Sequence, residues 1–316
     1  MAKLYITDHV FASLEPTYQV LQDTGAEIIS LKCTDSTQLK ELARDADALM
    51  TCYLPNINAD VMDSMPNLKG IVRTGIGVDT IELTAAKQRG IQVANVPDYC
   101  LEEVSDHAVA LTLALNRKIA LSSNRIGCGD YGLEYVHPLK SLRSSVATIM
   151  GYGRIGRRIA AKLSAFGCVL QFYDPYVSED GGVARKVDFQ TALEESDIII
   201  LQSPSTPQTH HLLNGEAFGL MKKKPYIVNA ARGDLIDTQA LESALENGII
   251  AGAGLDVVED LNALNKDCFL CKCENVILTP HSAWVSEDAM VELQRLSAME
   301  VKRILAGEPV KNSVIR

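Results

Sequence analysis

The sequence has no apolar run approaching the ~18 residues that a membrane-spanning helix needs. Its opening residues, MAKLYITDHV, lack the long apolar stretch of a secretory leader. A soluble, cytoplasmic protein with no membrane partner is therefore expected. Positive charge is also short: 30 Lys and Arg stand against 40 Asp and Glu, for a net charge of −10. That balance argues against a nucleic-acid partner, because gripping a phosphate backbone needs clustered cations. It says nothing about small anionic substrates, which respond to local fields. The eight cysteines lack metal-ligand spacing. Cys33, Cys52, Cys100, Cys128 and Cys168 are scattered singly, and CFLCKC holds Cys268, Cys271 and Cys273 with no second C-x-x-C or H-x-x-x-H nearby. No metal is expected, and the thiols read as buried or idle groups in a reducing compartment.

What is present is an alternation. The 316 residues, 47% of them hydrophobic, suffice for two domains. Short β-rich apolar runs recur: KLYIT from Lys3, AEIISL from Ala26, ALMTCY from Ala48, GIVR from Gly70 and IQVAN from Ile91. After a long helical stretch they resume with VATIM from Val146, VLQFY from Val169, DIIILQ from Asp197, YIVNA from Tyr226 and NVILT from Asn275. Helical patterns separate them, which implies parallel sheets with helices on both faces. The fold class is α/β, with two doubly wound parallel-sheet domains. The stretch from Cys100 to Ser122 reads as one long helix, apolar on more than one face, and Ser286 to Leu305 reads as another.

Strand Val146–Met150 runs into Gly151-Tyr-Gly153-Arg-Ile-Gly156, a helix follows at once, and the next strand ends in Asp174. A G-x-G-x-x-G alone is weak evidence, but strand, glycines, helix and acid in one register fit a dinucleotide-binding βαβ unit. Gly151 permits the tight turn, Gly153 lets backbone approach a pyrophosphate, and Gly156 allows close helix–strand packing. The helix N-terminus offers N–H groups to that pyrophosphate. Asp174 would accept hydrogen bonds from the adenine ribose and repel a 2′-phosphate, which favours NAD over NADP.

Two more segments sit where strands should end, the place where open parallel sheets bind ligands. YIVNAARGDLID puts Arg232 after one strand, and NVILTPHSAW puts His281 after another. A guanidinium suits a carboxylate and the carbonyl beside it, and an imidazole can give or take the proton of a hydroxyl. Singly, Arg232 could be a surface cation and His281 a helix-start residue. Together with NADH they supply what hydride transfer to a 2-oxo acid requires. In IVRTGIGVDTI, Gly75 and Gly77 follow a strand, where backbone N–H groups could form a nest for a carboxylate or serve as an ordinary turn.

These motifs, with NVPDYCLEEVSDHA at Asn95 and GAGLDVVED at Gly252, make the chain resemble the D-isomer-specific 2-hydroxyacid dehydrogenase family over nearly its whole length. The branch containing the C-terminal binding proteins is the most similar. The resemblance implies a flavodoxin-like substrate domain from residues 1–97 plus 285–316, a Rossmann NAD domain over 98–284, a cleft between them, and a homodimer. It implies that Gly75, Ile76 and Gly77 hold the substrate carboxylate, with Ile76 also near the cofactor. It assigns Arg154 and Ile155 to the pyrophosphate, Asp174 to the ribose, Ser203, Pro204 and Thr209 to the adenosine side, and Ala230 and Asp256 to the nicotinamide. Arg232 clamps substrate, His281 is the acid–base, and Trp284 lines the substrate pocket. The implied activity is interconversion of a small 2-oxo acid and its D-2-hydroxy acid. The alternative is an NAD-responsive binding or regulatory protein.

One position departs from the family. Five residues beyond Asp256, where the resemblance expects the glutamate that pairs with the histidine, stands Leu261; the nearest carboxylates are Asp260 and Glu259. A paired carboxylate raises a histidine's pKa, typically by ~1–3 units, whereas an apolar neighbour lowers it. Three outcomes are open. Asp260 or Glu259 takes over the role, the histidine works alone with reduction favoured at low pH, or catalysis has been given up and NAD binding kept.

Overall fold

The computed structural model describes residues 1–178 and 182–315. The chain divides into two compact units, one of Met1–Cys100 with Val285–Arg316 and one of Leu101–Trp284.

In the first unit, strands β1 (Lys3–Ile6), β2 (Glu27–Ser30), β3 (Ala48–Thr51), β4 (Gly70–Arg73) and β5 (Gln92–Ala94) make one parallel sheet. Their order is β2-β1-β3-β4-β5, the doubly wound arrangement of flavodoxin-like folds. Helices α1 (Glu15–Leu21), α2 (Ser36–Leu42), α3 (Ala59–Asp63) and α4 (Leu83–Gln88) connect them. Helices cover both faces of such a sheet, so the central β3, ALMT, is buried at all four positions and carries no polar alternation. Leu49, Ile57, Met62 and Ile71 anchor its core.

The second unit opens with α5 (Leu101–Asn116) and α6 (Ile119–Gly127). It continues through β6 (Val146–Met150), α7 (Arg154–Ser164), β7 (Val169–Tyr173), β8 (Arg185–Lys186), α8 (Phe189–Glu195) and β9 (Ile198–Leu201). Then come α9 (Gly215–Gly219), β10 (Tyr226–Asn229), α10 (Thr238–Glu246), β11 (Gly252–Leu255), α11 (Phe269–Lys272) and β12 (Val276–Leu278). The sheet order is β12-β11-β10-β9-β6-β7-β8, all parallel. Six of these strands make the Rossmann order, reversing between β6 and β9, and β12 adds a seventh. Phe218, Ile199, Ile227 and Leu241 lie in its core.

Three features depart from the sequence reading. The stretch to Ser122 is two helices, because Lys118 takes a left-handed φ of +52° and donates from Nζ to the Tyr135 carbonyl at 3.1 Å. A residue so placed cannot continue a right-handed helix, while the apolar pattern runs on across the break and conceals it. Strand β11 was also concealed, since GAGL has little β propensity. Its small residues let α5 lie on the sheet: a Cβ on Gly254 would come within 3.0 Å of Leu115 and 3.2 Å of Leu111. Finally, β8 is a two-residue edge made of Arg185 and Lys186, too short and charged to register as a strand.

The chain returns to the first unit with α12 (Glu287–Leu305), which packs on α1, β3 and β4. Among the described residues no helix is long and apolar enough to cross a membrane. Ser286 starts α12 by accepting a hydrogen bond from the Ala289 N–H at 3.0 Å. Ser286→Ala is expected to lower stability by about 1 kcal/mol, with Ser286→Asp restoring it, as read from urea unfolding curves.

Candidate active site

Between β6 and α7 the chain has three residues in which to reverse direction. Gly151 does so with φ +100°, and a Cβ there would strike the Gln202 backbone carbon at 2.6 Å; a Cβ on Gly156 would strike the Gly151 carbonyl at 2.2 Å. These glycines weld strand to helix. Gly153 differs, because a Cβ there would meet nothing within 4 Å. It starts α7 with no side chain capping the first turn, the kind of helix start at which anions bind. The Asp174 carboxylate accepts from the Tyr152 N–H at 2.8 Å and the Tyr176 N–H at 2.9 Å. It is therefore fixed against the glycine turn at the end of β7. The Tyr152 ring stacks on Phe172 at 4.0 Å under the Arg157 guanidinium, and burial pushes its phenol pKa up.

The next strand ends are equally organised. Ser203 donates to the Met150 carbonyl at 3.1 Å. The Thr209 hydroxyl donates to the Pro204 carbonyl at 2.7 Å and accepts from the Thr206 N–H at 2.8 Å, closing that loop on itself. After β10, buried Asn229 accepts from the Ala231 N–H at 3.0 Å and donates to the Arg232 carbonyl at 2.8 Å. Ala230 is buried beside it. The Arg232 side chain donates from Nη1 to the Ala231 carbonyl at 2.7 Å.

His281 is positioned by Asp256. The Asp256 carboxylate is 1% exposed and accepts from the Thr279 hydroxyl at 2.6 Å and from the N–H groups of Ser282 and Ala283, both at 2.9 Å. Its carbonyl accepts from the His281 N–H at 2.9 Å, and its own N–H donates to the Asn229 carbonyl at 2.9 Å. Arg232 and His281 are thus joined through Asn229 and Asp256. His281 is held with φ +52°, a conformation that a lone histidine rarely adopts. Behind Thr279, on α5, the His107 Nε2 lies 3.0 Å from its hydroxyl and 3.5 Å from the carboxylate. Since that hydroxyl gives its one proton to Asp256, the His107 Nε2–H is the donor. Asn229, Thr279 and His107 were not singled out from sequence. The only available signal was a polar residue inside or beside an apolar strand or helix run.

Leu261, at the position of the expected glutamate, is 49% exposed and begins a 3-10 turn, Leu261–Ala263. Glu259 is engaged elsewhere, with Oε1 2.7 Å from the His211 Nε2 and Oε2 accepting from the Thr238 hydroxyl at 3.2 Å. Trp284 is buried, 8% exposed.

In the first unit, the turn after β4 is built against Arg73, which donates to the Thr74 carbonyl at 2.7 Å and lies over the Tyr53 ring. A Cβ on Gly75, φ +139°, would fall 1.4 Å from the Arg73 Nη1. The Gly75 carbonyl accepts from the Val96 N–H at 2.9 Å, and the Ile76 carbonyl accepts from Asn95 Nδ2 at 2.6 Å. In a trans peptide the N–H points opposite to the carbonyl, so the N–H groups of Ile76 and Gly77 face away from the Asn95–Val96 segment.

Residues 109–283, more than half the chain, match the family described as D-isomer specific 2-hydroxyacid dehydrogenase, NAD binding domain. The chain belongs to this family. It is 34% identical over 318 residues to the D-3-phosphoglycerate dehydrogenase of Methanocaldococcus jannaschii, covering 99% of this chain and 59% of that one. It is 35% identical over 286 residues to the glyoxylate reductase of Thermococcus litoralis, covering 87% and 86%. Among solved structures it resembles the D-lactate dehydrogenase of Aquifex aeolicus complexed with NAD and lactic acid, at a TM-score of 0.88, 28% identity and 99% coverage of both chains. The cofactor of this 2-hydroxyacid dehydrogenase fold is NAD, and the open backbone at Gly153 and uncapped start of α7 fit a dinucleotide.

The Asp256 network sets a test of its own. An amide has one acceptor oxygen where the carboxylate uses two, so Asp256→Asn leaves at least one buried donor facing an N–H₂ group. A loss of about 2–4 kcal/mol is expected, against about 1–2 kcal/mol for Thr279→Val, both measured by denaturant unfolding.

Proposed function

We propose that the chain interconverts a small 2-oxo acid and its D-2-hydroxy acid, in the manner of the glyoxylate reductases and glycerate dehydrogenase it resembles. The observation that carries this reading is the continuous hydrogen-bonded path from Arg232 through Asn229 and Asp256 to His281. It fixes the backbones of a cation and an imidazole beyond the ends of β10 and β12, the two strands that flank β11.

When bound, NADH supplies the hydride for the substrate's carbonyl carbon. Arg154, Ile155 and Gly156 bind the pyrophosphate, Asp174 the adenine ribose, and Ser203, Pro204 and Thr209 flank the adenosine. Ala230 and Asp256 lie at the nicotinamide end. Arg232 binds the substrate carboxylate and polarises the adjacent carbonyl oxygen, and the N–H groups of Ile76 and Gly77 bind the carboxylate. His281 gives its proton to the carbonyl oxygen in reduction and takes it back in oxidation. We assign Asp260 as its carboxylate partner, since Glu259 is taken by His211 and Thr238. Trp284 bounds the substrate side chain. The functional unit is a homodimer, supported by the exposed Ile119, Ile126, Tyr131 and Leu133 of α6 and the segment after it.

NADH oxidation with glyoxylate, pyruvate and hydroxypyruvate from pH 5 to 9 tests the reading. Wild type should turn over at least one of them. His281→Ala should lose roughly 10²–10⁴-fold in rate while NADH affinity stays within about twofold. Because a nearby carboxylate keeps an imidazole protonated to higher pH, Asp260→Asn should move the falling limb of reduction to lower pH. If wild type binds NADH and reduces none of these acids, the dehydrogenase reading fails and an NAD-responsive binding protein takes its place.

A further inference from the structure

We propose that His210, His211 and Glu259 form a site for one divalent ion of the zinc class, which the hydride transfer does not use. One ligand atom from each side chain lies within 4.8 Å of the other two. Donors around a tetrahedral zinc ion, ~2.0–2.2 Å from it, sit roughly 3.3 Å apart. Small side-chain movements therefore close the set, and the 2.7 Å contact between the His211 Nε2 and the Glu259 Oε1 opens by less than about 1 Å.

The backbone brings the two imidazoles together. Consecutive side chains on an extended chain point in opposite directions, but His211 takes φ +51°. The two rings consequently stack with centroids 3.9 Å apart and planes 22° from parallel. The His211 N–H donates to the Asp234 carbonyl at 2.8 Å and holds that turn.

Two further carboxylates stand near the imidazoles, just beyond hydrogen-bond distance. The His210 Nδ1 is 3.8 Å from Asp234 Oδ2, and the His211 Nδ1 is 4.0 Å from Asp237 Oδ2, while the His211 Nε2 faces Glu259. Drawn in by under about 1 Å, either carboxylate would accept the imidazole N–H, fix its tautomer and strengthen it as a ligand. Glu259 is oriented likewise, its Oε2 accepting from the Thr238 hydroxyl and its Oε1 turned to the histidine. A cavity of about 460 Å³ lined by His211, Asp237, Thr238 and Glu259 leaves room for water to complete the coordination sphere. Two imidazoles and one carboxylate suit Zn²⁺, Co²⁺ or Ni²⁺ over Mg²⁺ or Ca²⁺, which prefer all-oxygen sets.

Cobalt(II) titration followed by its visible absorption tests the proposal. Cys268, Cys271 and Cys273 are themselves partly or fully exposed thiols, so wild type is compared with the triple variant Cys268→Ser/Cys271→Ser/Cys273→Ser. One Co²⁺ per chain is expected in both, displaced by Zn²⁺ and not by Mg²⁺. His210→Ala and Glu259→Gln, in half-exposed side chains, should each weaken binding at least about tenfold with the melting temperature of the metal-free protein retained. The proposal is overturned if no Co²⁺ binds, if binding disappears in the cysteine variant, or if His210→Ala and Glu259→Gln bind as wild type does.

Discussion

Asp256 carries a charge that burial makes expensive, since the effective penalty for an ion taken out of water is several kcal/mol. What offsets it is a ring of donors drawn from one short segment: the Thr279 hydroxyl and the N–H groups of Ser282 and Ala283. The need for those donors dictates where residues 279–283 go. His281, in the middle, has no choice but the left-handed conformation that lets its neighbours on either side reach the same carboxylate. The strain at His281 and the burial of Asp256 are thus one arrangement, and neither would persist without the other.

The same logic extends outward through backbone. The Asp256 N–H and the Asn229 carbonyl continue the parallel pairing of β11 with β10 one step beyond the sheet, so the end of one strand fixes the end of the next. The Asn229 side chain then sets the Arg232 carbonyl. His107 approaches from α5, and α5 can lie close enough only because β11 presents Gly254 where another strand would present a side chain. A weak strand sequence and the ordered corner that carries Arg232 and His281 are therefore linked, and a larger residue in GAGL would disturb both without touching either.

This explains which parts were legible in the sequence. The glycine fingerprint, Arg232 and His281 stand at strand ends, and apolar strands announce their own ends. Repeated strand–helix alternation announces two parallel sheets, whereas their 2-1-3-4-5 and Rossmann orders were implied only by the resemblance to the family. What could not be read was fixed by contacts distant in sequence. Helix α5 reaches Asp256 across 149 positions, as His107, and the Lys118 break depends on a carbonyl at Tyr135. Glu259 and Asp260 are adjacent in sequence and equivalent by spacing from His281. Only the turn of His211 towards Glu259 separates them, and no local pattern encodes it.

The leucine at position 261 acquires a narrower meaning in this light. A glutamate paired with an acid–base histidine performs two tasks: it restrains the imidazole, and it keeps the proton on to higher pH. Here the restraint is partly supplied from the backbone, because Asp256 fixes the φ of His281 and the residues after it whatever stands at 261. The electrostatic task is not supplied that way, since Asp256 faces N–H groups and a hydroxyl and spends its charge on them. On the reading proposed above, that task falls to Asp260.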